Sequence, residues 1–133
     1  VSGTATAVTA VSPGTRVIAA EPEGADDARR SFQTGTLVPS IDPRTIADGL
    51  LTSLGDRTFP IIRRLVGEIV TVSDAEILKA MRTVWERMKI IIEPSAAVPL
   101  AALLAGRVSP PARRIGIILS GGNVDLTRLP WLK

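Results

Sequence analysis

The chain contains no cysteine, no histidine and no tyrosine, and aromatic residues make up only 3% of its 133 residues. The missing cysteine and histidine exclude disulfides and Cys/His metal centres. They also exclude Ser-His triads and histidine-based proton transfer within this chain. Any metal here must be held by oxygen, which limits the choice to a hard cation such as Mg²⁺ or Ca²⁺, or to Mn²⁺. Basic residues give a formal charge of +3, but they fall in scattered pairs, Arg29-Arg30, Arg63-Arg64 and Arg113-Arg114. With no basic stripe and few aromatics to stack on bases, no nucleic-acid partner is expected. No apolar run is long enough to span a bilayer and no signal peptide precedes Ser2, so no membrane partner and a cytoplasmic location are expected. Val1 in place of an initiator Met is the expectation for a piece cut from a longer chain.

What is present suits one domain with an aliphatic core, since 45% of the residues are hydrophobic and 22% charged. Residues 2–11, small and helix-compatible, predict a helix stopped at Ser12-Pro13-Gly14. Residues 16–20 predict a short buried strand leading to Glu21-Pro22. Residues 25–34 predict a helix with acids in its first turn and Gly35 at its end. The stretch 36–57, rich in Pro, Gly, Asp and Thr, reads as a long loop of the kind that usually has a function. A short helix over 58–66 and a strand over 68–72 follow.

Ser73-Asp74-Ala75-Glu76 is a capping box. Ile77, Met81, Val84, Trp85 and Met88 then recur at helical spacing and predict a helix to about Ile91. A further helix starts at Pro94 and ends at Gly106, with a kink expected at Pro99. Residues 114–119, Arg-Ile-Gly-Ile-Ile-Leu, predict a strand buried on both faces that runs into Ser120-Gly121-Gly122-Asn123. Alternating strands and helices argue for the α/β class, a parallel sheet flanked by helices. Ligands in such sheets bind at the carboxyl ends of strands, which singles out Glu21 to Asp27 and Ser120 to Asp125.

Four segments, in order and with matching spacing, carry a family resemblance: AAEPEGADDA at 19–28, TIADGL at 45–50, ERMKIIIEPSAAV at 86–98 and ILSGGNVDLT at 118–127. Together they resemble the serine racemase and threonine (serine) dehydratase family, fold type II of the pyridoxal 5'-phosphate (PLP) enzymes. The resemblance covers essentially the whole chain. It implies the C-terminal portion of a catalytic domain, residues 1–133 being roughly the last two fifths of a family member. The Schiff-base lysine and the glycine-rich phosphate loop would then lie upstream. Lys79, Lys89 and Lys133 are the only lysines, and none sits in the family's lysine motif. The chain alone is therefore expected to be inactive.

The resemblance assigns candidate residues. Ser120 matches the serine that hydrogen-bonds the pyridine nitrogen of PLP, a neutral partner that leaves the ring nitrogen largely unprotonated. Gly121 lets the flat ring approach the backbone, and Gly49 matches a glycine passing close to the cofactor. Glu93, after three isoleucines, is expected near the same pocket, partly buried and in need of a partner. The bland alternatives are a tight Ser-Gly-Gly turn after a strand and a helix-capping carboxylate.

Glu21, Ala25 and Asp27 form a second group. Two carboxylates bridged by a Gly-containing turn with a free carbonyl suit a hard cation. In serine racemase-like members the matching positions bind Mg²⁺, Mn²⁺ or Ca²⁺. A helix N-terminus decorated with acids would look the same. Lys89 and Asn123 match two contacts to ATP in some racemases.

The activity implied is that of a PLP-dependent ammonia-lyase or racemase acting on Ser, Thr or 3-hydroxyaspartate, in a protein that forms a homodimer when whole. Racemase and dehydratase remain equally open. The alternative is a non-catalytic α/β binding or regulatory module derived from the same scaffold.

Overall fold

A computed structural model describes residues 1–109, 112–129 and 131. The elements are α1 (Ser2–Val11), β1 (Ile18–Pro22), α2 (Asp27–Thr34), α3 (Phe59–Leu65), β2 (Glu68–Val72), α4 (Asp74–Met88) and α5 (Pro94–Leu104). Single 3₁₀ turns at Glu23–Ala25 and Asp48–Leu50 interrupt the irregular stretches. The fold is α/β, as expected from the alternation of elements.

β1 and β2 pair in parallel, with Ala20 opposite Val70 and Pro22 opposite Val72. Parallel pairing requires a long crossover, which α2, the loop and α3 provide. The two-residue period of a strand sends alternate side chains to opposite faces, and the core divides accordingly. Val70 and Val72, with Ile18 and Ala20, join the side chains of α4 and α5, including the buried Ile77, Met81, Val84, Ala97 and Val98. Ile69 and Ala19 face the other way, against Ala5 of α1, Ile62 of α3 and the Ala28 and Phe32 of α2. Helices thus cover both faces of a small parallel sheet. Its two outer edges have no strand partner among the described residues, and an open groove follows Gly67 to Thr71 along β2.

α4 starts as its sequence dictates. Ser73 Oγ accepts the Glu76 amide, and the Glu76 carboxylate accepts the Ser73 amide at 2.8 Å. That second bond, foremost, holds the Glu76 carboxyl below the usual carboxylate range. Gly35 ends α2 in the left-handed conformation at φ 73°, as a C-terminal glycine should.

Three expectations are corrected. β1 spans 18–22 rather than 16–20, because it follows the register of β2. α4 stops at Met88, three residues before Ile91. Lys89 turns left-handed at φ 59°, which ends the hydrogen-bond ladder and frees Ile92 to enter the core. α5 starts at Pro94 as expected and continues past Pro99 to Leu104. Most consequential, residues 114–119 are not a strand. A ladder needs a neighbour, and this segment finds none among the described residues. Ile115 and Ile118 stand about half exposed, and only Leu119 of the run packs on the core. Ser120 consequently does not end a strand.

Candidate cofactor corner and acid pair

The candidate cofactor residues converge on the N-terminus of α5 from two sides. On one side is the loop 44–50. Gly49 donates its amide to Ser95 Oγ at 3.1 Å, in the first turn of α5. A Cβ at Gly49 would sit 3.0 Å from that oxygen, so the glycine permits the approach. On the other side is Ser120 to Asn123. The Gly121 carbonyl accepts the Glu93 amide at 3.0 Å, and the Glu93 carboxylate accepts the Asn123 amide at 3.0 Å.

Glu93 is the residue preceding α5, but its carboxylate makes no cap bond to that helix. It is committed to the 121–123 turn instead. That resolves the choice between a capping acid and an acid needing a partner elsewhere. A side chain at Gly121 would run into the Glu93 carboxylate, and one at Gly122 would lie 2.8 Å from the Ile91 carbonyl. Packing against backbone therefore requires glycine at 122, whereas a side chain at 121 would displace the Glu93 carboxylate from its bond to Asn123. Ser120, next to them, is exposed.

Sequence reasoning misses three side chains of this corner. Ser95 holds Gly49 directly. Thr45 donates its hydroxyl to Asp74 at 2.6 Å, and the other Asp74 oxygen accepts the Ile46 amide at 3.1 Å. Ser95 lies within a quoted segment and is detectable as a hydroxyl beside Pro94. The Thr45–Asp74 link is long-range and has no local signature.

Glu21 and Asp27 form the second group, and both are buried. Glu21 closes β1 and accepts the Arg29 amide at the start of α2. Among the described residues, Asp27 receives only a long bond, from the Leu54 amide at 3.4 Å. Burial, with the nearby Asp27 charge adding to it, pushes the Glu21 carboxyl up to about 7. Ala25 is buried in the turn between them. Gly24 brings this turn against the other loop: the Arg44 amide donates to the Gly24 carbonyl at 2.8 Å. No cluster of three or more acidic, histidine or cysteine side chains exists among the described residues. A cation here would thus have two carboxylates, a carbonyl and water. Lys89 and Asn123 are both exposed, and the Asn123 amide bonds the Glu93 carboxylate.

Comparison with known proteins identifies the family. Residues 1–121 match the family described as pyridoxal-phosphate dependent enzyme. The chain is 50% identical over 131 residues to a beta-hydroxyaspartate dehydratase of Paracoccus denitrificans, covering 98% of this chain and 42% of that protein. It is 50% identical over 137 residues to a serine racemase of Rattus norvegicus, covering 100% of this chain and 41% of that one. Among solved structures, a serine racemase of maize superposes with a TM-score of 0.89 at 44% identity, over 95% of this chain and 40% of that chain. The chain therefore spans about two fifths of the length of the curated relatives it matches.

Proposed function

Because the chain belongs to the family of pyridoxal-phosphate dependent enzymes, we propose that it supplies one wall of the cofactor site in a longer PLP-dependent ammonia-lyase or racemase. The substrates are small hydroxy amino acids: Ser, Thr or 3-hydroxyaspartate. In the lyase the net conversion removes the β-hydroxyl and the amino group, yielding a 2-oxo acid and ammonia. In the racemase the proton at Cα is removed and returned on the opposite face. Relatives of both kinds match the chain equally well, so both stay within the reading.

The observation that carries this reading is the glycine-lined corner at the start of α5. Gly49 and Gly121 face the same helix end, where added side chains would press on Ser95 and Glu93. Such bare backbone suits the flat face of a pyridine ring. The exposed Ser120 hydroxyl would meet the ring nitrogen as a neutral hydrogen-bond partner. The Glu93 carboxylate fixes the turn that carries it. When bound, the cofactor supplies an electron sink for the bond broken at Cα. The lysine that would carry it belongs to the part of the protein beyond this chain, since Lys79 and Lys89 lie on and just after α4, away from the family's lysine motif. Lys133 lies outside the described residues.

Glu21, the Ala25 carbonyl and Asp27 would hold Mg²⁺, Mn²⁺ or Ca²⁺ in the same reading. Two buried carboxylates with little compensation are costly, and a divalent cation would offset that cost. Its role is to tie β1 to α2. Homodimer assembly, and nucleotide binding through Lys89 and Asn123, belong to this reading by resemblance alone.

The test is made on the full-length protein. Purified protein should carry PLP, seen as its visible absorbance band, and should release 2-oxo acid from one of the three substrates or interconvert serine enantiomers. Residues 1–133 alone, given PLP, should show neither band nor turnover. Full-length protein with no PLP affinity and no turnover would instead identify a non-catalytic module. For the cation, Mg²⁺ or Mn²⁺ should raise the melting temperature of wild type but not of Asp27→Ala. An equal rise in both would remove the site.

A further inference from the structure

Ile46 and Leu50 of the loop 44–50 pack on the same core as α4 and α5, and Ala47 is fully buried within it. Apolar contacts of that kind fix depth but leave the loop free to slide. Directional bonds are needed to fix where the Gly49 backbone sits. Asp74 supplies them. One carboxylate oxygen accepts the Thr45 hydroxyl and the other accepts the Ile46 amide. The Thr45 oxygen in turn accepts the Ala47 amide at 3.2 Å. The Leu50 amide then closes the turn on the Ala47 carbonyl at 2.9 Å, with Gly49 inside it.

An acid in the first turn of a helix ordinarily needs no explanation beyond the helix dipole. Here the start of α4 is already capped from both directions by Ser73 and Glu76. Both Asp74 oxygens are spent on the loop, and its charge strengthens each bond. We propose that Asp74, acting through Thr45 and Ile46, is a positioning residue for the Gly49 backbone and thereby sets the affinity of the site for PLP. This rests on the cofactor reading given above.

The experiment compares variants of the full-length protein by equilibrium binding of PLP to the apoprotein and by melting temperature. Thr45→Val breaks the link without touching α4, and Asp74→Ala breaks it from the other end. Each should weaken PLP binding by about tenfold, the order expected when a positioning contact is lost. The double variant should lose less than the product of the two single losses, because both variants remove the shared Thr45–Asp74 bond. Thr45→Ser keeps the hydroxyl and should restore wild-type affinity. Ser73→Ala uncaps the same helix, so it should lower the melting temperature while leaving PLP affinity at the wild-type level. The inference falls if Thr45→Val and Asp74→Ala lower the melting temperature with affinity unmoved, or if Ser73→Ala weakens binding equally. If Asp74→Ala does not fold, the Thr45→Val and Thr45→Ser pair decides. Wild-type protein that binds no PLP would bring down the cofactor reading and this inference together. Wild type that binds PLP beside unaffected variants would bring down this inference alone.

Discussion

Residues 44–50 and residues 118–124 reach the same end of α5, yet they are held there by different means. The first arm is tied at Arg44 to Gly24, at Thr45 and Ile46 to Asp74, and at Gly49 to Ser95. Those partners come from three separate regions of the chain. The second arm depends on Glu93, which takes the Gly121 carbonyl with its amide and the Asn123 amide with its carboxylate. Its other support is the packing of Leu119 and Val124 on the core. The corner thus has one arm tied to several regions of the chain and one whose hydrogen bonds all run to Glu93.

The contrast can be broken most severely at Gly24. A Cβ there would overlap the Arg44 carbonyl oxygen, which is backbone and cannot swing aside. Gly24→Ala should cost about 3 kcal/mol of stability, the upper range for overpacking, measured by urea denaturation of the full-length protein. A loss indistinguishable from zero would mean that the first arm is not pinned at its start.

The next effect is expected at Glu93. Glu93→Ala removes the bond to the Asn123 amide, which is exposed and can turn to water. The loss should be only about 1 kcal/mol. Amide hydrogen exchange, however, should speed up across 121–124 and stay unchanged across 45–50. Acceleration of both arms together would show that they are one cooperative unit.

A pH-dependent effect concerns the acid pair. Glu21 ionises near 7 in the fold, against an ordinary 4.5. Between those values the folded chain keeps a proton that the unfolded chain has released. In buffer with chelator, stability should therefore fall as pH rises across that window and level off above it. Glu21→Gln should flatten that slope, since its amide oxygen still accepts from Arg29 but does not titrate. An unchanged slope would assign it to other groups.

Much of this arrangement can be read from the sequence because it is local. The Ser73–Glu76 box, the Gly35 stop and the start of α5 at Pro94 each depend on residues within a turn of one another. The run at 114–119 misleads for the complementary reason. Its aliphatic residues state what the segment would do beside another strand, and nothing local reports whether one is there. The corner itself divides the same way. Gly49, Glu93, Ser120 and Gly121 are legible through a family resemblance. Asp74 is legible only as part of a cap, because its bond to Thr45 spans 29 positions. Ser95 escapes notice because a serine after Pro94 is ordinary in the first turn of a helix.

Among the described residues, neither outer edge of the β1–β2 ladder has a strand partner. Each edge presents main-chain donors and acceptors to any extended peptide, other copies of the chain among them. A short aliphatic run lies in the same molecule at 115–119, half open to solvent. Edge and run together are the ingredients of concentration-driven clumping. Arg113 and Arg114, both exposed at the head of that run, put like charges where two such segments would come into register.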